Sequence, residues 1–297
     1  MTTMTTRPEQ VPVSLDDGSS VTGLLYRPSR AARSGVTLIL GHGAGAGQLH
    51  PFMQLFASGL AERGLDVLTF NFQYMEQGRR VPDPKAKLEA CYPAVIEAAR
   101  KHKKLKGNRL VIGGKSMSGR IASQVAALDC GGLAPLSNAA AHSSWESKSR
   151  KTMRKRSRSA IAQATIPNIA QADTRDIAQT TASDTFKTTS ANIAGLVFLG
   201  YPLHPPGKPD QLRDAHLPQI TVPMLFVQGS RDAFGSAEEI RATIKKHHLR
   251  ATLHVVEGGD HSLKVPKSSG LSQQKVYDSA MDEIARWLKT EVRNPQR

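Results

Sequence analysis

Short apolar runs alternate repeatedly with longer segments of helical spacing along most of this chain, and this pattern limits the folds open to it. Apolar runs of roughly four to eight residues bounded by turn residues are typical of buried parallel strands. The predicted strands are Val11–Leu15, Val21–Arg27, Val36–Leu40, Asp66–Phe72, Arg109–Gly113, Gly195–Leu199, Met224–Gln228 and Thr252–Val256. The predicted helices are Pro51–Arg63, Pro84–Lys104, Ser118–Leu128, Ser236–His247 and Gln273–Lys289. Strands that alternate with helices in this way predict an α/β fold, a mostly parallel doubly wound sheet covered on both faces.

One stretch interrupts this alternation. From residue 137 to residue 192 the chain is rich in alanine, serine and threonine and carries few large apolar side chains. A segment of this composition is expected to be a partly helical or disordered insertion on the surface, basic and of low complexity. The remaining sequence is long enough for one large core, so we predict a single domain over 1–297 that contains this insertion.

The 297 residues carry a formal net charge of +15, which raises the question of an anionic partner. Seven basic residues and no acidic residue lie between Lys148 and Arg158, inside the predicted insertion. Apart from Trp145 upstream, no aromatic side chain accompanies the cluster, so base stacking has little support. A solvated basic loop is the simpler interpretation, and contact of Lys148–Arg158 with nucleic acid or an acidic partner is the alternative.

Other classes of protein find less support in the sequence. The two cysteines provide no disulfide framework and match no zinc spacing, and neither a metal nor an organic cofactor is implied. The segment Met1–Gln10 is polar and lacks the apolar core of a signal peptide. No run of 18 apolar residues occurs, so we expect a cytoplasmic protein without a membrane span.

The clearest chemical motif follows the predicted strand Arg109–Gly113, where Gly114-Lys115-Ser116-Met117-Ser118-Gly119 leads into a helix. A serine nucleophile on a sharp strand–turn–helix connection needs small residues around it, which the pattern G-x-S-x-G supplies. Here Ser118 stands in the place of the last glycine, a small departure in side-chain size. Ser116 is therefore the candidate nucleophile, and a structural role as a helix N-cap is the alternative.

A rival interpretation of the same turn is a phosphate-binding loop, which also ends in Gly-Lys-Ser. That motif requires a glycine five positions before its last glycine, and this chain has Arg109 there. The residues between them favour a strand rather than a loop, so we set the phosphate-binding loop aside.

A histidine and an aspartate on two later turns could activate this serine as a nucleophile. His261 lies in Glu257-Gly258-Gly259-Asp260-His261-Ser262, after a predicted strand and before the last helix, and is the candidate general base. Asp232 follows the preceding strand and is the candidate acid that would fix the histidine tautomer. Asp260 is the alternative acid, but as the neighbour of His261 it would need an awkward backbone to reach the imidazole. The chain order of serine, aspartate and histidine is the one expected when the serine follows a strand of this type of fold, and it differs from the two well-known serine-protease orders.

A glycine-rich loop after the strand Val36–Leu40 could stabilise negative charge on a substrate. It reads Gly41-His42-Gly43-Ala44-Gly45-Ala46-Gly47, and an oxyanion hole needs unobstructed backbone N–H groups. We predict the N–H groups of Ala44 and Met117 as the two donors. A dinucleotide-binding loop is the competing interpretation, but this strand is the third and the next strand ends Phe70-Asn71-Phe72 without an acidic residue.

These motifs together resemble the α/β-hydrolase superfamily, and more narrowly its dienelactone-hydrolase-related branch, which includes testis-expressed protein thirty and the NSL-complex subunit three. The blocks that carry the resemblance are Gly41–Gly45, Asn71–Arg80, Gly113–Met117, Gly200–Gly207, Gly229–Asp232 and Gly259–His261. The resemblance implies that the segments Tyr74–Arg80 and Tyr201–Gly207 flank the pocket.

The sequence thus predicts a serine hydrolase that acts on carboxylic esters or related small-molecule acyl substrates. In this prediction His261 takes the proton of Ser116, and Asp232 orients the imidazole. The alternative function is a non-catalytic binding or scaffold protein on a hydrolase fold, with the basic insertion in contact with nucleic acid or an acidic partner.

Overall fold

The computed structural model describes residues 7–130 and 192–292, which form an eight-stranded sheet with helices on both faces. The strands are β1 (Glu9–Ser14), β2 (Ser20–Tyr26), β3 (Val36–Gly41), β4 (Asp66–Phe70), β5 (Arg109–Lys115), β6 (Ile193–Leu199), β7 (Met224–Gly229) and β8 (Ala251–Val256). The helices are α1 (Pro51–Glu62), α2 (Gln73–Glu76), α3 (Lys85–Lys101), α4 (Met117–Asp129), α5 (Ala237–Lys246) and α6 (Gln273–Trp287). A short π-helical turn, Leu288–Val292, follows α6.

The strand order across the sheet is β1-β2-β4-β3-β5-β6-β7-β8. The strands β1 and β2 form an antiparallel hairpin, β2 pairs antiparallel with β4, and the other pairs are parallel. This confirms the predicted doubly wound α/β fold. The chain turns outward from β3 to β4 and then returns to the other side of β3 with β5. Sheets of this kind bind ligands where the strand order reverses, at the carboxyl ends of the strands, here those of β3 and β5.

The core lies in two layers because successive residues of a strand point to opposite faces of the sheet. On β3, Leu38 and Leu40 pack into the layer beneath α1 and α6, whereas Ile39 packs into the layer beneath α3 and α4. All of β3 and β4 is buried. Continuous apolar strands of this kind require helices on both sides, and these helices fix the positions of the strand ends.

The structure differs from the sequence prediction mainly at strand ends. The strand β5 continues to Lys115 because Gly113 and Gly114 pair with Val197 and Phe198 of β6. A Cβ on Gly113 would collide with the carbonyl of Val197, so glycine here allows β5 and β6 to pair closely. The strand β4 ends at Phe70, two residues before the predicted end, and the short helix α2 follows it in a stretch for which no element was predicted.

The insertion predicted at 137–192 lies outside the described residues except for Asn192, as does the basic cluster Lys148–Arg158. Within the described ranges, no helix combines the length and apolar character needed to cross a membrane. The same part of the chain contains no group of three or more His, Cys, Asp or Glu side chains placed to hold a metal ion.

Candidate active site

Ser116 lies between the end of β5 and the first residue of α4, in a backbone conformation that few residues adopt. Its φ is 52° and its ψ is −114°, and it is one of three non-glycine residues with positive φ in the described chain. Its N–H donates to the carbonyl of Leu199 at 3.1 Å, which ties the turn to the neighbouring strand. Conformations of this type cost on the order of 1–3 kcal/mol and persist where the surrounding structure enforces them. The turn lifts the Ser116 hydroxyl above the carboxyl edge of the sheet.

Ser118, the departure from the glycine pattern, fits because glycines face it. A Cβ on Gly41 would lie 2.7 Å from the Ser118 Cβ, and a Cβ on Gly114 would collide with the Ser118 hydroxyl. The Ser118 Oγ, fully buried, donates to the carbonyl of Lys115 at 3.1 Å. The serine is therefore accommodated by two glycines on adjacent strands.

Ser116, His261 and Asp232 form one hydrogen-bonded line. The Ser116 Oγ lies 2.7 Å from Nε2 of His261. On the other side of the ring, Nδ1 lies 2.8 Å and 3.0 Å from the two carboxylate oxygens of Asp232. An ionised carboxylate only accepts hydrogen bonds, so Nδ1 carries the proton and Nε2 is left to accept the serine proton. The arrangement can remove a proton from Ser116.

Asp232 is held in place by donors other than the histidine. Its Oδ2 accepts a hydrogen bond from Nε2 of Gln228 at 2.8 Å, and its Oδ1 accepts one from the Phe234 N–H at 2.8 Å. The Gln228 amide is itself fixed, since its Oε1 accepts from the N–H of Tyr201 at 2.7 Å and its Nε2 also donates to the Gly235 carbonyl at 2.6 Å. Because the Asp232 side chain is fully buried, its carboxylate accepts hydrogen bonds from these protein donors rather than from solvent.

Phe234 also contacts the imidazole directly. Its ring stacks on that of His261 with centroids 4.1 Å apart and planes inclined by 30°. One residue therefore orients both members of the pair, through its N–H to Asp232 and its ring to His261.

Asp260, the alternative acid, has other partners. Its Oδ1 accepts hydrogen bonds from the N–H groups of Ser262 at 2.7 Å and Lys264 at 2.9 Å. These bonds close the loop that carries His261. The imidazole Nδ1 is engaged by Asp232 instead.

The glycine-rich loop after β3 is oriented by His42. The ring is fully buried, and burial lowers the pKa of His42 to about 4, so the imidazole is neutral at physiological pH. Its Nε2 accepts from the Phe72 N–H at 3.2 Å, so Nδ1 carries the proton and donates to the Gly43 carbonyl at 2.8 Å. In a trans peptide the C=O and the following N–H point in opposite directions. The bond to His42 therefore directs the Ala44 N–H away from the core.

Met117, the other predicted donor, is the first residue of α4. The N–H groups of the first helical turn have no acceptor within the helix, and they carry the positive end of the helix dipole. An oxygen bound beside Ser116 could accept from this N–H. The structure thus places both predicted donors, Ala44 and Met117, on segments next to Ser116.

A cavity of about 690 Å³ opens onto Ser116. It is lined by Gly43, Ala44, Ala46, His50, Pro51, Phe52, Met53, Leu55, Lys115, Ser116, Phe234, His261, Ser262, Lys264 and Tyr277. The walls come from the start of α1, from α6 and from residues 257–266, the loop after β8 that carries His261 and is called the histidine loop below, and they are mostly apolar. Neither Tyr74–Arg80 nor Tyr201–Gly207 contributes to this lining, so the expectation that these segments flank the pocket is wrong for this cavity. Both tyrosine rings are instead fully buried in the core.

Several residues of the site were not identified from the sequence: His42, Lys115, Gln228 and Phe234. His42 and Lys115 lie inside the motifs described above, and Gln228 and Phe234 lie close to Asp232, but the contacts of all four depend on strands that are far apart along the chain. The one available signal is position, because all four lie within a few residues of a predicted carboxyl strand end.

Comparison with known proteins places these features in a wider context. A family model described as "Alpha/beta hydrolase domain" matches residues 34–142 and 175–289. Among solved structures, an alpha-beta serine hydrolase homologue from Coxiella burnetii is similar at 15% identity and a TM-score of 0.59, covering 97% of this chain and 100% of that one. A dienelactone hydrolase from Anabaena variabilis is similar at 15% identity and a TM-score of 0.57, covering 95% and 97%. A dienelactone hydrolase-like promiscuous phosphotriesterase from metagenomic libraries, P91, is similar at 11% identity and a TM-score of 0.57, covering 96% and 98%. At these identities the likeness concerns the fold alone.

Proposed function

This chain belongs to the alpha/beta hydrolase domain family, and on that premise we propose that it is a serine hydrolase of carboxylic esters or related acyl compounds. The observation that carries the proposal is the line from Ser116 through His261 to Asp232, at the mouth of a cavity. A scaffold protein has no physical need to keep these three side chains in hydrogen-bond register. The strained backbone at Ser116 supports the same proposal, because strain of this kind gathers at functional sites.

In the proposed reaction, the Ser116 oxygen attacks the carbonyl carbon of the substrate while its proton moves to Nε2 of His261. The carbonyl oxygen becomes negatively charged and accepts hydrogen bonds from the N–H groups of Ala44 and Met117. The imidazolium then gives its proton to the leaving alcohol, and an acyl-enzyme remains on Ser116. Water, deprotonated by His261, releases the acid and restores the serine.

Asp232 has two functions in this scheme. It keeps the proton of the neutral imidazole on Nδ1, and its negative charge stabilises the imidazolium that forms during attack. Because the carboxylate is buried, its interaction with the imidazolium is less weakened by water than a surface pair would be.

The cavity supports a small, largely apolar acyl substrate. Its volume of about 690 Å³ falls within the range of small-molecule sites, roughly 300–1,000 Å³. We also propose that the chain belongs to the narrower dienelactone-hydrolase-related branch, on the strength of the short sequence blocks that it shares with that branch.

Turnover of p-nitrophenyl acetate by the purified chain tests this proposal. We expect hydrolysis by the wild-type protein and loss of it in Ser116→Ala, with no change in Ser269→Ala, a serine outside the cavity lining. Folded wild-type protein without turnover would refute the proposal, and so would a Ser116→Ala variant that retains full activity.

A further inference from the structure

Lys115, which immediately precedes Ser116, connects the nucleophile turn to the histidine loop. It is the last residue of β5, and its Nζ donates to the main-chain carbonyl of His261 at 2.6 Å. Within the described residues no other donor reaches this carbonyl. Its side chain is only 8% exposed, so this contact lies inside the protein, at the wall of the cavity.

The contact between Lys115 and His261 also depends on the end of a third segment, the strand β6. Gly200 follows β6 with a φ of 64°, and a Cβ there would lie 2.7 Å from the His261 carbonyl oxygen and 3.2 Å from the Lys115 Nζ. A side chain at this position would separate the lysine from the carbonyl. The absence of a Cβ on Gly200 allows the ends of β5 and β6 and the histidine loop to meet at one point.

Packing alone does not account for a lysine here. Burial lowers the pKa of Lys115 to about 8, even though the carboxylates of Asp232 and Asp260 favour the ammonium. Burial of a charged group opposes folding unless it is compensated by hydrogen bonds or opposite charge. A methionine of similar length would fill the same space without this penalty, so the lysine calls for a reason other than stability.

The histidine loop supplies such a reason. Its residues Gly258 and Gly259, which precede His261, are held by hydrogen bonds: the Gly258 N–H donates to Ser230 Oγ at 2.8 Å, and the Gly259 carbonyl accepts from the Arg231 N–H at 2.9 Å. After His261, the loop is closed by the Asp260 carboxylate, which accepts hydrogen bonds from the N–H groups that follow His261. Between these two segments, the carbonyl of His261 itself accepts the hydrogen bond from Lys115, which fixes it to the end of β5.

We propose that Lys115 is a positioning residue for the hydrolytic reaction: its ammonium holds the main chain of His261 so that the imidazole stays in line between Ser116 and Asp232. The inference rests on the proposed function above. A displacement of a reacting group by about 1 Å can lower a rate by roughly 100-fold, so one main-chain hydrogen bond is enough to matter. Lys115 acts through His261 and contributes no proton of its own.

The test compares Lys115→Met with the wild type on p-nitrophenyl acetate. Methionine keeps the length of the side chain and removes the donor, so we expect kcat to fall by about 10- to 100-fold with little change in KM. The rate of labelling of Ser116 by a fluorophosphonate should fall in parallel. Lys267→Met, an exposed lysine outside the cavity lining, serves as the matched control and should behave as wild type.

A second variant, Lys115→Ala, tests the same idea by chemical rescue. The space left by the lysine opens onto the cavity, so added ethylammonium or propylammonium ions should restore part of the lost kcat. Tetramethylammonium, which carries charge but no N–H donor, should not restore it. A purely structural lysine would show no such discrimination between the added ions.

The outcomes separate this inference from the function on which it rests. Wild-type labelling with an unchanged kcat in Lys115→Met would overturn the positioning role and leave the serine hydrolase intact. An effect on KM alone would also overturn it, since it would mean that Lys115 binds substrate. A wild-type protein that neither turns over the ester nor takes the label would overturn both.

Discussion

Replacement of Asp232 by asparagine is the substitution for which the structure makes the sharpest prediction. The two side chains have the same shape, but asparagine replaces one acceptor oxygen with an NH₂ donor. Both oxygens of Asp232 accept from a fixed donor besides His261: Gln228 Nε2 at Oδ2 and the Phe234 N–H at Oδ1. Whichever position the NH₂ takes, a donor faces a donor inside the protein.

The magnitude follows from the same contacts. A buried donor left without an acceptor costs about 1–3 kcal/mol, so the free energy of unfolding should fall by that amount. Loss of the carboxylate also removes the preference for a proton on Nδ1 of His261 and the charge that stabilises the imidazolium. Analogous substitutions in serine hydrolases reduce kcat by roughly 10⁴-fold, which corresponds to about 5.5 kcal/mol in the activation free energy.

Ester hydrolysis and urea unfolding measure the two effects separately. We expect Asp232→Asn to be folded, somewhat less stable, and at least about 10³-fold lower in kcat/KM. The control is Asp260→Asn, since Asp260 bonds only backbone N–H groups of its own loop in the described structure. It should lose less than about tenfold in kcat/KM, a loss of under about 1.4 kcal/mol. If Asp260→Asn were the more damaging substitution, Asp232 would not be the acid and this reasoning would be wrong.

Three further predictions concern stability and the neighbouring loops. Because burial lowers the pKa of Lys115 from 10.5 to about 8, its ammonium opposes folding below pH 8 and ceases to do so above pH 10.5. Urea unfolding at several pH values should therefore show the free energy of unfolding of the wild type rising by about 3 kcal/mol, relative to that of Lys115→Met, between pH 8 and pH 10.5. A difference between the two proteins that does not change with pH would refute the buried ammonium. Ser118→Gly removes the bond to the Lys115 carbonyl and adds a glycine to α4, so thermal unfolding should show a loss of about 1–2 kcal/mol, with kcat/KM within about threefold of wild type. Gly229→Ala should reduce ester hydrolysis by at least about tenfold, because a Cβ there would collide with the Gly259 carbonyl and displace the histidine loop; full activity would contradict this.

The presence and order of the strands, and the turns that follow them, were predictable because they are encoded locally. The apolar run Val36–Leu40 and the glycines after it identify a buried strand and its end without knowledge of the rest of the chain. The same holds for the turn at Ser116. Since the carboxyl ends of parallel strands share one edge of the sheet, the sequence could also predict that Asp232 and His261 approach that turn, and the structure brings them together. Their catalytic roles remain a proposal.

Contacts between distant strands were not predictable from the sequence. Lys115 is two residues beyond the predicted strand end, and its bond to His261 depends on the pairing of β5 with β6 and on the missing side chain of Gly200. The residues that line the cavity were not predictable from the sequence for the same reason. Tyr74 was expected at the pocket from a shared sequence block, but its ring packs against His42 and Phe72, where an aromatic side chain gains more from burial.

Covalent labelling can establish whether Ser116 is the nucleophile. Wild-type protein is treated with a fluorophosphonate, digested, and the modified peptide is identified by mass spectrometry. We expect one phosphonylated residue, Ser116, with labelling abolished in Ser116→Ala and strongly slowed in His261→Ala. A folded wild-type protein that takes no label would show that Ser116 is not a nucleophile, and so would a label on another residue together with full labelling of Ser116→Ala.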